Sequence, residues 1–151
     1  MTTLSSSTSV RTLRRPGIDA RGPRFGAAVT TLVLSLALVL ASPLLVAAQA
    51  AVFAVGALAG PARQPYGLVF RHLVRPGLAP PDHLEDPAAP RFAQACGLAF
   101  SLIALLGFAL GAPWLALGAT GLALAAAFLN AAFDFCFGCE LYLRAQRLRR
   151  A

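Results

Sequence analysis

Apolar residues fall along the chain in two long blocks. Positions 25–62 (38 residues) and 92–143 (52 residues) contain no basic side chain and are rich in Leu, Ala, Val and Phe. A hydrocarbon core about 30 Å thick takes about 20 apolar residues per helical pass. The run from Ala27 to Ala59 alone would reach roughly 50 Å as one helix at 1.5 Å per residue, more than tilting absorbs. Each block carries a break near its middle. In the first, Ser42 is suited to cap a helix and Pro43 to begin one; in the second, Gly111-Ala112-Pro113 serves the same purpose. The pattern predicts four transmembrane helices over about 25–41, 43–60, 91–111 and 113–135, with Trp114 suited to an interfacial ring. The expected fold is an all-α membrane protein, built as two tandem helical hairpins with short interfacial helices.

The remaining segments follow from composition. Residues 1–17 are rich in Ser, Thr and Arg without periodicity and read as a disordered tail. Residues 18–143 form the transmembrane domain, with 144–151 as a basic C-terminal tail. The loop 61–90 holds seven of the eleven prolines and is expected to be mostly extended. Its exception is Tyr66 to Val74, where Tyr66, Val69, Phe70 and Leu73 share a helical face, as in a helix lying on a membrane surface. Glu140 to Arg150 reads likewise, with Leu141 and Leu148 toward lipid and Arg toward anionic headgroups.

Charge gives the orientation. All thirteen basic residues are Arg, gathered at 11–24, 63–91 and 144–150. With 58% hydrophobic and 13% charged residues, the chain is too apolar for an ordinary soluble domain. A net charge of +7 does not imply nucleic acid, because no basic run is interleaved with stacking aromatics. Four passes place all three Arg clusters on one side, which is cytoplasmic by the positive-inside rule. The expectation is a multi-pass protein of the cytoplasmic (inner) membrane with both termini in the cytoplasm. Three passes would export a cluster. Val46-Ala-Ala-Gln-Ala50 resembles a signal-peptide cleavage site, but the apolar run continues through Val52, Phe53 and Val55, too long for a signal core.

The two blocks also begin alike. Asp19 to Phe25 and Asp86 to Phe92 share a D-x-x-x-P-R-F pattern, which suggests a duplicated hairpin with parallel repeats. Two independent entries under the same constraints are the alternative. Gly56 to Gly60 and Gly107 to Gly111 are G-x-x-x-G patterns that permit close helix approach.

Candidate chemistry is concentrated at Cys136 and Cys139, a C-x-x-C at the cytoplasmic end of the fourth predicted span. Such a pair cycles between dithiol and disulfide, accepts sulfur, or supplies two ligands to a soft metal. Cys96 is expected at similar depth, and His72, His83 and Glu85 lie in the loop over that surface. With no second C-x-x-C and no closely spaced His pair, the zinc signal is weak. The alternative is that the cysteines merely pack. A helix C-terminus disfavours a thiolate while Arg144 and Arg147 favour it, leaving the sign open. Asp134 shares a face with Asn130 and reads as a carboxylate emerging into the headgroups, poorly aimed at the thiols. Gln49 and Gln94 are expected in interhelical hydrogen bonds. No Ser-His-Asp set, P-loop or G-x-G-x-x-G occurs, so neither cofactor nor resident metal is expected.

Several short motifs, in order, carry a resemblance. Ile18-Asp19-Ala-Arg21, Arg24-Phe25, Arg75-Pro76, Pro80-Pro81, Glu85-Asp86, Arg91-Phe92-Ala-Gln94 and Cys136-Phe-Gly138-Cys139-Glu-Leu-Tyr142 together resemble a bacterial integral-membrane family catalogued as domain of unknown function number 4395. The resemblance covers about residues 18 to 144. It implies a small polytopic membrane protein without established activity, associated with thioredoxin-like or rhodanese-like soluble proteins. Two functions follow as expectations: a cytoplasm-facing thiol redox or sulfur-relay component using Cys136 and Cys139, or a non-catalytic membrane scaffold or small-solute conduit.

Overall fold

The computed structural model describes residues 17–81 and 83–150; most of the tail expected over 1–17 lies outside them. The fold is all-α, with 80% of the described residues helical. A short strand β1 (Ile18–Asp19) leads into α1 (Arg21–Val39) and α2 (Pro43–Ala59). A connector follows, made of α3 (Pro65–Val69), a π turn over Phe70–Val74 and a 3-10 turn over Arg75–Gly77. Strand β2 (Leu84–Glu85), α4 (Ala88–Ala109), α5 (Pro113–Phe133) and α6 (Phe137–Arg150) complete the chain.

Among the described residues three helices, α1, α4 and α5, are long and apolar enough to cross a membrane. At 17 residues, α2 is apolar but shorter. Both α1 and α4 start a few residues ahead of the expected Phe25 and Arg91 because an aspartate caps each. Asp19 Oδ1 accepts the Arg21 backbone N–H at 3.0 Å, and Asp86 Oδ1 accepts that of Ala88 at 2.9 Å. Pro23 and Pro90 then sit in the first turn, where a missing N–H costs nothing. The turns after α1 and α4 also match. Ala41 (φ 45°) and Gly111 (φ 64°) are left-handed. The N–H of Ser42 donates to Ala37 O at 3.0 Å and that of Ala112 to Gly107 O at 2.8 Å, the six-to-one closure of a Schellman cap.

Contacts between the two halves come in equivalent pairs. Helix α1 packs on α5 and α2 on α4. Arg24 donates through Nε to Ala131 O in the last turn of α5 (3.2 Å), while Arg91 donates to Ala57 O (3.0 Å) and Leu58 O (2.7 Å) in the last turn of α2. These are the arginines of the two D-x-x-x-P-R-F motifs, and each neutralises the C-terminal carbonyls of a helix in the other half. The motif phenylalanines pair likewise, Phe25 with Phe70 and Phe92 with Tyr142, both at 5.8 Å between ring centroids. Strands β1 and β2 join antiparallel, Ile18 opposite Glu85 and Asp19 opposite Leu84. This register pairs Ile18 with its own equivalent in the second half, as an approximate two-fold axis between the halves requires.

Small residues fill the interior and large ones face outward. Ala37, Val46, Ala104 and Ala119 form one buried cluster, and Leu34, Phe53 and Ala123 another. Leu32, Leu58, Leu106, Leu122 and Trp114 are exposed. A water-soluble surface this apolar would aggregate; lipid solvates it without penalty, and small interior residues are what lets membrane helices approach. Two alcohols inside the bundle are satisfied locally: Ser101 and Thr120 donate to the carbonyls of Gly97 and Ala116, at 2.9 and 2.8 Å. The distribution suggests a membrane protein.

The connector differs from expectation. Its Tyr66 to Val74 segment is helical, but Phe70 is buried and Tyr66 half-buried against the bundle, while Val69 and Leu73 stay exposed. It is therefore docked on α1 along one edge rather than lying free.

Candidate functional site

The C-x-x-C lies just past the end of α5, where a separate helix begins. Helix α5 stops at Phe133, and Asp134 adopts the left-handed conformation (φ 55°), which a short polar side chain tolerates. A fresh helix begins at Phe137. Cys136 sits where a capping residue would: its Sγ accepts the Cys139 backbone N–H at 3.3 Å and its carbonyl accepts that of Glu140 at 3.0 Å. The pair thus faces the N-terminus of α6, not the C-terminus of the preceding helix. A helix N-terminus is the end of the dipole that attracts negative charge.

Cys136 and Cys139 are joined by a disulfide, with Cα atoms 5.2 Å apart. Gly138 between them is buried, and a Cβ there would come within 2.7 Å of both Cα and Cβ of Ala93. Glycine at this position allows α6 to dock on α4 and brings the pair over the bundle. Glu140 in the first turn of α6 and Arg147, Arg149 and Arg150 in its last complement the helix dipole.

Beside the disulfide lies a cavity of about 700 Å³ lined by α1, α2, α4, α5 and α6, within the usual size range of small-molecule sites. Both paired cysteines line it, as does Cys96 on α4, which is a free thiol. The structure therefore gathers all three sulfurs around one space. Asn130 and Asp134 line it too, so the break after α5 turns Asp134 toward the site that a straight helix would have denied it. Partial desolvation and the charge of Asp134 raise Glu85 above its ordinary value, although the residue as a whole is exposed. His72 is exposed and makes a 3.3 Å contact with Arg71; His83 is exposed as well. Among the described residues no group of three or more His, Cys, Asp or Glu is placed to hold a metal.

A family model described as "Domain of unknown function (DUF4395)" matches residues 18–147. The chain belongs to this family. Neither the curated proteins nor the solved structures contain a match.

For this DUF4395 chain, the matched motifs acquire structural work. Asp19 and Asp86 cap helices, Arg24 and Arg91 cap others, and Cys136 to Tyr142 builds the docked α6. Of the two expected glutamines, Gln49 bridges helices, its Nε2 donating to Thr30 at 3.3 Å and its Oε1 accepting from Tyr66 at 2.8 Å. Gln94 lines the cavity, but its Oε1 is buried without a partner. Sequence reasoning missed Thr30, which is 5% exposed and lines the cavity from α1. It also missed Gln64, 2% exposed, whose Oε1 lies beside Gly56 as that of Gln94 does and is likewise buried without a partner. Neither residue has a sequence signature, since a Thr in an apolar run and a Gln before Pro are both common.

Proposed function

We propose that the chain is a four-pass protein of the cytoplasmic membrane, with two tandem hairpins and both termini cytoplasmic. In it the Cys136–Cys139 pair exchanges disulfide with a soluble thioredoxin-like or rhodanese-like partner. The observation that carries this reading is the capping position of Cys136. A thiolate of the partner attacks the Cys136 sulfur, giving a mixed disulfide and releasing Cys139 as a thiolate, which takes a proton from water. The partner's second thiolate then attacks its own linked sulfur and expels Cys136 as a thiolate. That anion leaves toward the Cys139 N–H and the dipole of α6, where negative charge is favoured. Two electrons pass from partner to pair; the partner becomes the disulfide.

The four-pass topology draws support from the equivalent contacts of the two halves and from Arg residues grouped at one end, with α2 at the lower limit of spanning length. Reporter fusions after Arg75 and after Arg150 are expected to give cytoplasmic signals, and an external signal at either position overturns it. For the thiols, Cys139→Ala exposed to glutathione disulfide in native membranes should accumulate a glutathione adduct on Cys136. Cys136→Ala should accumulate far less on Cys139. Equal labelling, or none, removes the capping argument and leaves a scaffold whose cysteines pack.

A further inference from the structure

We infer that the cavity beside the disulfide binds a lipid-soluble quinone, which takes the electrons that the pair receives. This rests on the redox reading of Cys136 and Cys139 and assigns its electron acceptor.

The cavity's walls and position favour that chemistry. Phe53, Phe100, Ile103 and several alanines line it, and its surface is mainly apolar, suited to a flat apolar ring. Ile103 lies twelve residues beyond Arg91 along α4, about 18 Å at the helical rise, so the space runs from the charged end to the depth of the acyl chains. Among these walls stand Thr30 and Asn130. Thr30 accepts a hydrogen bond from Gln49, which leaves its own hydroxyl proton to donate. A buried donor in an apolar wall needs an acceptor. An acyl chain offers none; a quinone offers two carbonyl oxygens. The disulfide lies at the mouth of the same space, so ring and sulfur meet without a large movement.

The exchange balances. In the reduced pair two S–H bonds break and the Cys136–Cys139 bond forms. The two electrons enter the quinone ring, and its two oxygens each gain a proton, giving the hydroquinone. Glu85 and Asp134 at the rim stand between these oxygens and water. Coupled to the partner's step, the net reaction oxidises a soluble dithiol and reduces a membrane quinone.

The test uses the full chain in phosphatidylcholine nanodiscs, with the pair reduced and the reductant removed under anaerobic conditions. Decylubiquinone is added, hydroquinone is followed by absorbance, and the 136–139 bond by mass mapping. The expected result is one hydroquinone per disulfide with saturable kinetics. Ala126→Trp, which fills the cavity, and Ala99→Phe, at an exposed part of its wall, should each lower the quinone rate about tenfold relative to the same variant's rate with glutathione disulfide, as expected when a bound ligand is displaced. If glutathione disulfide re-forms the bond but the quinone yields no hydroquinone, the cavity assignment fails and the exchange reading stands. The cavity assignment fails equally if both variants keep the wild-type ratio. A pair that reacts with neither oxidant overturns both.

Discussion

Two connectors follow equivalent helices, and they close their sides of the bundle in opposite ways. After α2, the segment beginning at Gln64 sends Tyr66 inward to Gln49, which in turn holds Thr30, and lays buried Gln64 against Gly56 with its Oε1 unpartnered. That side is plugged by polar side chains. After α5, α6 docks on α4 through Gly138 and Ala93, but a cavity remains beside it, with the disulfide at its edge. The scaffold is nearly symmetric, down to paired arginine caps and paired aromatic contacts; the chemistry is on one side only. The Tyr66–Gln49–Thr30 hydrogen bonds tie the first connector to the bundle, while the space that Thr30 lines on its other flank makes room for a ligand.

Substitutions sharpen that contrast. The largest loss is expected from Gly67→Ala on the plugged side, because a Cβ there would overlap the Pro61 carbonyl oxygen, a backbone atom with little freedom. Overpacking of this kind costs about 3 kcal/mol, measurable as thermal unfolding in nanodiscs. Next is Gln49→Leu, which strips partners from both Thr30 and Tyr66 and should cost about 2 kcal/mol while leaving glutathione exchange at the cysteines intact. Asn130→Leu on the open side should shift stability by under about 0.5 kcal/mol. Comparable losses from Gln49→Leu and Asn130→Leu would erase the distinction between plug and cavity.

Smaller effects test the symmetry itself. Arg91→Ala removes two helix-capping bonds and Arg24→Ala one, so the former should cost about 1 kcal/mol and the latter about half that. The reverse order would mean that the two motifs are not equivalent. Acid should weaken the motif that precedes α1. Burial of Asp19 disfavours its ionised form, but hydrogen bonds from Arg21 and the charges of Arg21 and Arg75 outweigh it and hold the carboxyl below its ordinary value. Its stabilisation is complete above the unfolded value and is lost as pH falls through the folded one. Wild type should therefore exceed Asp19→Asn in stability at neutral pH, and the gap should close on acidification.

Local rules explain what the chain announces in advance. Ser42-Pro43 and Ala112-Pro113 mark helix starts through capping and through the missing proline donor, and both are where α2 and α5 begin. The C-x-x-C, the family and the paired D-x-x-x-P-R-F motifs were equally legible. The helix start at Phe137 was not. It depends on Asp134 turning left-handed and on Gly138 meeting Ala93, a contact made only after the bundle assembles. Tyr66 read as lipid-facing because its burial is decided by Gln49, seventeen residues away. The strands β1 and β2 are two residues each, too short for any alternation to show.

The central claim is that a disulfide capping α6 opens and closes reversibly. Its direct measure is a redox titration of the full chain in nanodiscs against glutathione buffers, with the 136–139 bond quantified by mass after trapping free thiols. The account predicts a single two-electron transition, about 30 mV per tenfold change in the oxidised-to-reduced ratio, within the range that soluble dithiol proteins span. A pair that stays fully reduced, or fully bonded, across that range contradicts it.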